Sequence, residues 1–139
     1  MSNTLVQPVL ALMVLTLLVW LVMYVRRIGA MRALRIPAQA LSTPDKRSLL
    51  PEAVNRPSNN LVNLFEMPVL FYALSLLLMV GNQVDALYVQ LAWVYVGLRI
   101  AHSLWQSLVN KVAVRFLLFA LSSLALMALV LHAILAVFR

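Results

Sequence analysis

The sequence contains no cysteine, and this absence excludes several kinds of site. Without thiols the chain forms neither disulfides nor thiolate metal sites, and it has no redox nucleophile of its own. Any thiol chemistry therefore needs a thiol from another molecule. The sequence also shows no internal repeat, glycine-rich phosphate loop, metal-ligand cluster or Ser/His/Asp arrangement, and its two histidines lie far apart at 102 and 132. We predict no metal site.

Charge is scarce as well, because only 11% of the 139 residues are charged while 64% are hydrophobic. The mean hydropathy of +0.96 exceeds what a soluble core of this size needs. These values are typical of an integral membrane protein. At roughly 20 residues per spanning helix the chain has room for four crossings and no separate soluble domain. We therefore predict an all-α, integral membrane four-helix bundle that forms one domain over residues 1–139.

The apolar segments and their breaks predict where the helices lie. Four of the six prolines fall in 37–57, which we interpret as the longest connection. The expected spans are 5–35, 58–80, 86–109 and 112–138.

The net charge of +7 comes from basic residues that flank apolar segments instead of forming a patch with interleaved aromatics. Seven of them lie in or beside the first connection: Arg26, Arg27, Arg32, Arg35, Lys46, Arg47 and Arg56. The positive-inside rule then places this connection in the cytoplasm and both termini outside. Topology explains the charge better than a nucleic-acid partner does.

Glu66 is the anomaly of the second span, because hydrocarbon does not tolerate a lone carboxylate. On a helix, Asn59, Asn63 and Glu66 share one stripe. Pro68 removes a backbone donor, so it loosens the helix at the turn that holds Glu66. A carboxylate, a stripe of amide side chains and a kink together indicate a functional site.

The third span carries a second polar stripe, which consists of Arg99, Ser103, Gln106 and Asn110. His102 lies next to this stripe. Counted from the cytoplasmic ends of their helices, Glu66 and Arg99 lie at depths of roughly 12 and 15 Å. A lone charge at such depth costs about 2.5 to 3.5 kcal/mol. We therefore predict an ion pair between Glu66 and Arg99. One turn nearer the cytoplasm, Asn63 is expected to contact His102 or Gln106.

Each of these residues also has a purely structural interpretation. The Glu66–Arg99 pair can serve only to fix helix register. His102 can be an ordinary interhelical hydrogen-bonding group, and Arg115 can extend to lipid headgroups. Gly97 and Ala101 form a pair of small residues that lets another helix approach closely.

The order and spacing of these residues resemble one known family over essentially the whole chain. The pattern consists of Asn63-x-x-Glu66 with Pro68, Arg99-x-x-His102, and Arg115 sixteen residues after Arg99. It is similar to the MAPEG superfamily, the membrane-associated proteins of eicosanoid and glutathione metabolism, and more to its bacterial branch than to the eicosanoid enzymes. Gly29-x-x-Arg32 resembles a further family position.

This resemblance implies a homotrimer in the bacterial inner membrane, with glutathione bound between neighbouring subunits on the cytoplasmic side. Arg115 is then the catalytic residue, because a cation beside the sulfur stabilises the thiolate of glutathione. A lipophilic electrophile or hydroperoxide would enter from the bilayer. The implied cofactor-binding residues are Arg32, Asn63, Glu66, Arg99 and His102. Asn59 and Val62 stand where glutathione-using members often carry arginines.

Two hypotheses from different classes remain open. The first is a glutathione-dependent transferase or peroxidase. The second is a non-catalytic trimeric scaffold that keeps the polar residues for structure and binds lipid or protein through its long loop. A proton or solute pathway is a weaker third, because one acid and one arginine make a poor relay.

Overall fold

The computed structural model describes residues 5–139, and all regular structure in that range is helical. Five α-helices follow in chain order: α1 (Val6–Leu34), α2 (Glu52–Leu64), α3 (Met67–Val80), α4 (Ala86–Leu108) and α5 (Val112–Val137). Two short 3-10 helices, Ala38–Leu41 and Pro44–Leu49, occupy the long connection. The all-α prediction is confirmed. The count of four helices is wrong, because the second predicted helix consists of two pieces.

Within residues 5–139, three helical segments are long and apolar enough to cross a membrane: Val6–Leu34, Glu52–Val80 and Val112–Val137. The protein is therefore a membrane protein, as its composition predicts. The helix α4 does not meet the same criterion. It is 23 residues long, but polar residues such as Arg99, His102 and Gln106 lower its mean hydropathy.

The break between α2 and α3 lies at Phe65 and Glu66, directly before Pro68. Proline has no N–H, so the carbonyl of Leu64 has no partner at position 68, and the pyrrolidine ring crowds that carbonyl. The chain responds with an interruption at Glu66, where φ is -91° and ψ is -100°. The predicted loosening is thus a complete break. The N-terminal piece also begins earlier than expected, at Glu52, and contains Pro57 in its interior.

The helix α4 is the centre of the bundle, because it packs against α1, α2 and α5. Its buried side chains, among them Ala92, Tyr95 and Val96, join Leu12 of α1 and Leu126 of α5 in one hydrophobic core. The Phe71 ring of α3 lies 4.9 Å from the Tyr95 ring. Polar residues of α4 at the same buried face are therefore shielded from the surroundings of the bundle by the neighbouring helices.

At one end of the bundle, which we call the basic end, the end of α1 meets the start of α2 and the end of α4. Arg26 Nη1 donates to the carbonyl oxygens of Ala53 and Ser107, both at 3.3 Å. Pro57 has no N–H for the Ala53 carbonyl, and Ser107 lies in the last turn of α4, so both carbonyls lack their usual helical donor. Arg26 satisfies both groups and ties three helices together.

At the opposite end, Asp85 links the start of α4 to α5. Its Oδ1 accepts a hydrogen bond from the Tyr88 backbone N–H at 2.9 Å, and its Oδ2 lies 2.8 Å from Nε2 of His132. Desolvation by burial raises the pKa of the Asp85 carboxyl, but these hydrogen bonds outweigh it and the net pKa is lowered. The Tyr88 ring lies 4.4 Å from the His132 ring. This cluster clamps the end of the bundle away from the basic end.

Candidate functional site

A cleft of about 450 Å³ opens at the basic end between α2 and α5, with α4 as its floor. The floor residues His102 and Gln106 are buried, whereas Val62, Val112 and Phe116 at the rim are exposed. The full lining consists of Asn59, Val62, Asn63, His102, Gln106, Val112, Arg115, Phe116 and Phe119. The cleft therefore combines a polar interior with an apolar rim.

The floor is held by a hydrogen bond between the two polar stripes. Asn63 Nδ2 donates to Gln106 Oε1 at 2.9 Å. This contact confirms the prediction that Asn63 meets His102 or Gln106. It also joins α2 to α4 at the base of the cleft, so the two amide groups keep a fixed orientation.

Arg115 is half-buried in the cleft wall, and a chain of polar contacts fixes one side of its guanidinium. Arg115 Nη1 donates to Asn110 Oδ1 at 2.7 Å, and Asn110 Nδ2 donates to Glu52 Oε1 at 3.0 Å. Asn110 adopts the left-handed conformation that ends α4, with φ of 56°, which asparagine tolerates well. Nη2 and Nε of Arg115 donate to no group in residues 5–139, so they are available to a ligand.

Arg99 lies behind the cleft wall instead of lining it. Its side chain is completely buried, its Nε donates to the Tyr95 hydroxyl at 3.3 Å, and its guanidinium carbon lies 5.2 Å from the Phe119 ring centre. Nη1 and Nη2 of Arg99, and Nδ1 of the neighbouring His102, have no hydrogen-bond partner within the described chain. Phe119 thus separates a buried cation from the cleft.

The predicted Glu66–Arg99 ion pair is wrong for this chain. Glu66 is exposed at the break between α2 and α3, Arg99 is buried, and no ion pair joins them in the described part of the chain. The expected pairing requires one continuous helix through Glu66. Because the helix is interrupted there, the sequence position of Glu66 no longer determines which side of the helix its carboxylate faces.

Arg32 also lies apart from the cleft of the single chain. It lines a separate surface cleft of about 550 Å³ at the end of α1, together with Arg35, Met31 and Pro37. Of the six predicted site residues, the structure brings together Asn63, His102 and Arg115. It leaves Arg99 behind the wall, and Glu66 and Arg32 outside.

Asn60 is a polar residue that sequence reasoning missed. It is completely buried, its Nδ2 donates to the Ser103 carbonyl at 3.3 Å, and its Oδ1 accepts from the Ser103 hydroxyl at 3.2 Å. Asn59, which shares the predicted stripe with Asn63, lines the cleft and is exposed, whereas Asn60 is buried. The available signal was the spacing of Pro57, Asn60 and Leu64, all buried on one side of α2.

A family model described as the MAPEG family matches residues 5–135, nearly the whole chain. The chain belongs to the MAPEG family. The MAPEG match includes every residue of the cleft and confirms the resemblance read from the order of Asn63, Glu66, Arg99, His102 and Arg115. No curated protein and no solved structure matches the chain. The protein is therefore a membrane protein of the MAPEG family.

Proposed function

We propose that the cleft binds glutathione and that the protein is a transferase or peroxidase for lipophilic substrates. The observation that carries this proposal is the half-buried Arg115, two of whose nitrogens have no partner within residues 5–139 and lie beside the apolar side chains of Phe116 and Phe119. A cation in partly apolar surroundings lowers the pKa of an adjacent thiol and favours the thiolate. Arg115 is thus the proposed catalytic residue.

The rest of the cleft fits a small polar molecule with a reactive sulfur. Its volume of about 450 Å³ lies within the range of small-molecule sites. Asn63, Gln106 and His102 offer amide and imidazole groups at the floor, which suit the peptide groups of glutathione. The bound thiol supplies a sulfur nucleophile. The exposed apolar rim residues, including Val62 and Phe116, are suited to a substrate that arrives from the bilayer.

A second candidate function is a non-catalytic scaffold, and two observations favour it. Asn59 and Val62 line the cleft where the resemblance expects cationic anchors for carboxylates. In addition, Arg115 takes part in the chain of contacts through Asn110 to Glu52, which joins α2 to the turn between α4 and α5. A structural role of Arg115 is enough to explain these hydrogen bonds.

We further infer that α4 crosses the membrane as a fourth span. Its polar residues Arg99, His102 and Gln106 are buried, while most of its exposed residues are apolar, including Trp93 and Leu104. A helix that places polar groups inward is compatible with lipid although its mean hydropathy is low. Four crossings put both termini on one side, which we propose is outside, and the basic end in the cytoplasm of a bacterial inner membrane.

A homotrimer is the proposed assembly. Two features of the single chain leave room for a neighbouring subunit: Glu66 is exposed within an apolar segment, and nothing lies within 4 Å of a Cβ added at Gly97. Native mass spectrometry in a mild detergent tests this assembly directly. A monomer as the dominant species would contradict it.

Glutathione binding is tested with purified protein in detergent. Millimolar glutathione should raise both the ultraviolet thiolate absorbance and the thermal stability of the wild type, and Arg115→Ala should abolish the thiolate signal. Lys111→Ala is the matched control, because it removes a nearby exposed cation that does not line the cleft. If the wild type shows neither response, or if both variants behave alike, the enzyme hypothesis fails and the scaffold is favoured.

The absence of cysteine makes the topology easy to test. Single substitutions Ser48→Cys in the long connection and Asn82→Cys in the turn after α3 lie at opposite ends of the bundle. A membrane-impermeant maleimide added to intact spheroplasts should label Asn82→Cys only. Labelling of Ser48→Cys alone would reverse the proposed orientation.

A further inference from the structure

Another concave surface lies on the other side of α4, between α4 and α1. This groove has a volume of about 200 Å³ and shares no lining residue with the cleft. Its lining consists of Leu15, Leu18, Val19, Val22, Arg26, Ser103, Leu104, Ser107 and Leu108. Because all but three of these side chains are aliphatic, the groove is suited to an apolar chain.

Polarity in the groove changes along its length. On α1 the lining is aliphatic from Leu15 to Val22 and ends at Arg26, at the basic end. Eleven residues of helix separate Leu15 from Arg26, which corresponds to roughly 16 Å. That length is about half of the ~30 Å hydrocarbon core of a bilayer. The groove therefore extends through about one leaflet, with its only charged residue at the headgroup end.

Arg26 is a cation without an acidic partner in the described part of the chain. Its Nη1 donates to the Ala53 and Ser107 carbonyls, and no ion pair includes it. Glu52, an acid at the same end, pairs with Arg56 at 3.3 Å. The charge of Arg26 is thus left for an anion from outside the chain, and a guanidinium suits a phosphate group in particular.

We propose that this groove binds one acyl chain of an anionic phospholipid, with the headgroup phosphate at Arg26. Charge and size both select this occupant. A neutral lipid leaves the guanidinium without a counter-charge, and a helix about 10 Å across does not fit a groove of this volume. The site is independent of glutathione binding, because it lies on a different side of α4 from the cleft.

The proposal is tested by native mass spectrometry of delipidated protein to which phosphatidylglycerol or phosphatidylcholine with identical chains is added. One charge at the membrane surface corresponds to about fivefold tighter binding, so phosphatidylglycerol should be retained about fivefold more than phosphatidylcholine. Arg26→Gln should abolish this preference. Arg35→Gln is the matched control, because Arg35 is exposed directly after the end of the same helix and does not line the groove.

Because Arg26 also holds two carbonyls, a second pair of variants keeps the test independent of its structural role. Leu18→Phe fills the groove, whereas Leu17→Phe alters a neighbouring exposed residue outside it. Leu18→Phe should reduce retention of both lipids, and Leu17→Phe should leave it unchanged. Glycerol phosphate without acyl chains should not raise thermal stability.

Three results would overturn the proposal. The first is an equal loss of lipid preference in Arg26→Gln and Arg35→Gln, which would indicate general surface charge. The second is unchanged lipid retention in Leu18→Phe. The third is equal stabilisation by glycerol phosphate and by the full lipid, because the acyl groove would then contribute nothing.

Discussion

Replacing Asn60 with alanine should destabilise the protein markedly, because Asn60 is the buried polar link between α2 and α4. The substitution removes three hydrogen bonds: two donated by Nδ2, to the Ser103 carbonyl at 3.3 Å and the Ser107 hydroxyl at 3.2 Å, and one accepted by Oδ1 from the Ser103 hydroxyl at 3.2 Å. Interhelical hydrogen bonds in membrane proteins contribute about 0.6 kcal/mol each. The expected loss is therefore about 2 kcal/mol, or roughly 30-fold in the folding equilibrium.

The measurement is unfolding of the purified protein by sodium dodecyl sulfate in mixed micelles, followed by far-ultraviolet circular dichroism. Asn59→Ala is the control, because Asn59 is the adjacent exposed asparagine. Its free energy of unfolding should change by less than about 0.5 kcal/mol. The double variant Asn60→Ala/Ser103→Ala should lose less than the sum of the two single losses, because both substitutions remove the bond from the Ser103 hydroxyl to Asn60 Oδ1.

Two outcomes would refute this reasoning. Equal losses in Asn59→Ala and Asn60→Ala would mean that burial of Asn60 does not determine its contribution. Strict additivity of the Asn60 and Ser103 substitutions would mean that the two side chains do not interact in the membrane.

Three further substitutions test other parts of the fold. Pro68→Ala supplies an N–H for the Leu64 carbonyl, so α2 and α3 should join into one helix. Amide hydrogen exchange near position 66 should then become slower. Unchanged exchange would show that the break does not depend on the proline. Because the pKa of Asp85 is lowered in the folded state, Asp85 stabilises the protein at pH values above its unfolded pKa of about 4. This stabilisation is lost as the pH falls through the folded pKa. Asp85→Asn should therefore flatten the acid limb of a stability–pH profile. Arg99→Met removes a buried guanidinium of which two nitrogens have no partner in the described part of the chain, so the free energy of unfolding should stay equal or rise. A loss above about 1 kcal/mol would reveal a partner.

The helical class and the order of the main breaks were predictable, because they depend on long apolar runs and on prolines. The run before Arg26 indicates α1, and Gly81 and Asn82 mark the end of α3. The start of α2 was not predictable in the same way. A proline usually begins a helix, but Pro57 is tolerated in the interior of α2 because Arg26, which is distant in sequence, satisfies the carbonyl of Ala53.

The partial success with the cleft has a similar cause. Asn63 was expected to contact α4 and does, whereas the buried Asn60, one residue after the exposed Asn59, was not expected to. Adjacent asparagines give no hydropathy difference from which to choose, and a shift of one residue rotates the polar stripe by about 100°. Only the packing of α2 on α4 selects Asn60, because Ser103 and Ser107 provide its partners there.

The error over Glu66 and Arg99 shows why depth alone does not identify a partner in a membrane bundle. Two residues at equal depth meet only if their helices also present them to each other. The break at Glu66 means that its carboxylate need not face α4. The guanidinium carbon of Arg99 instead lies 5.7 Å from the ring centre of Tyr95 and 5.2 Å from that of Phe119. Those ring faces offset part of the cost of the buried charge, by up to about 2 kcal/mol in a desolvated site. The arginine thus stays buried without the carboxylate, and Phe119, which also lines the cleft, becomes the residue that connects this charge to the proposed site.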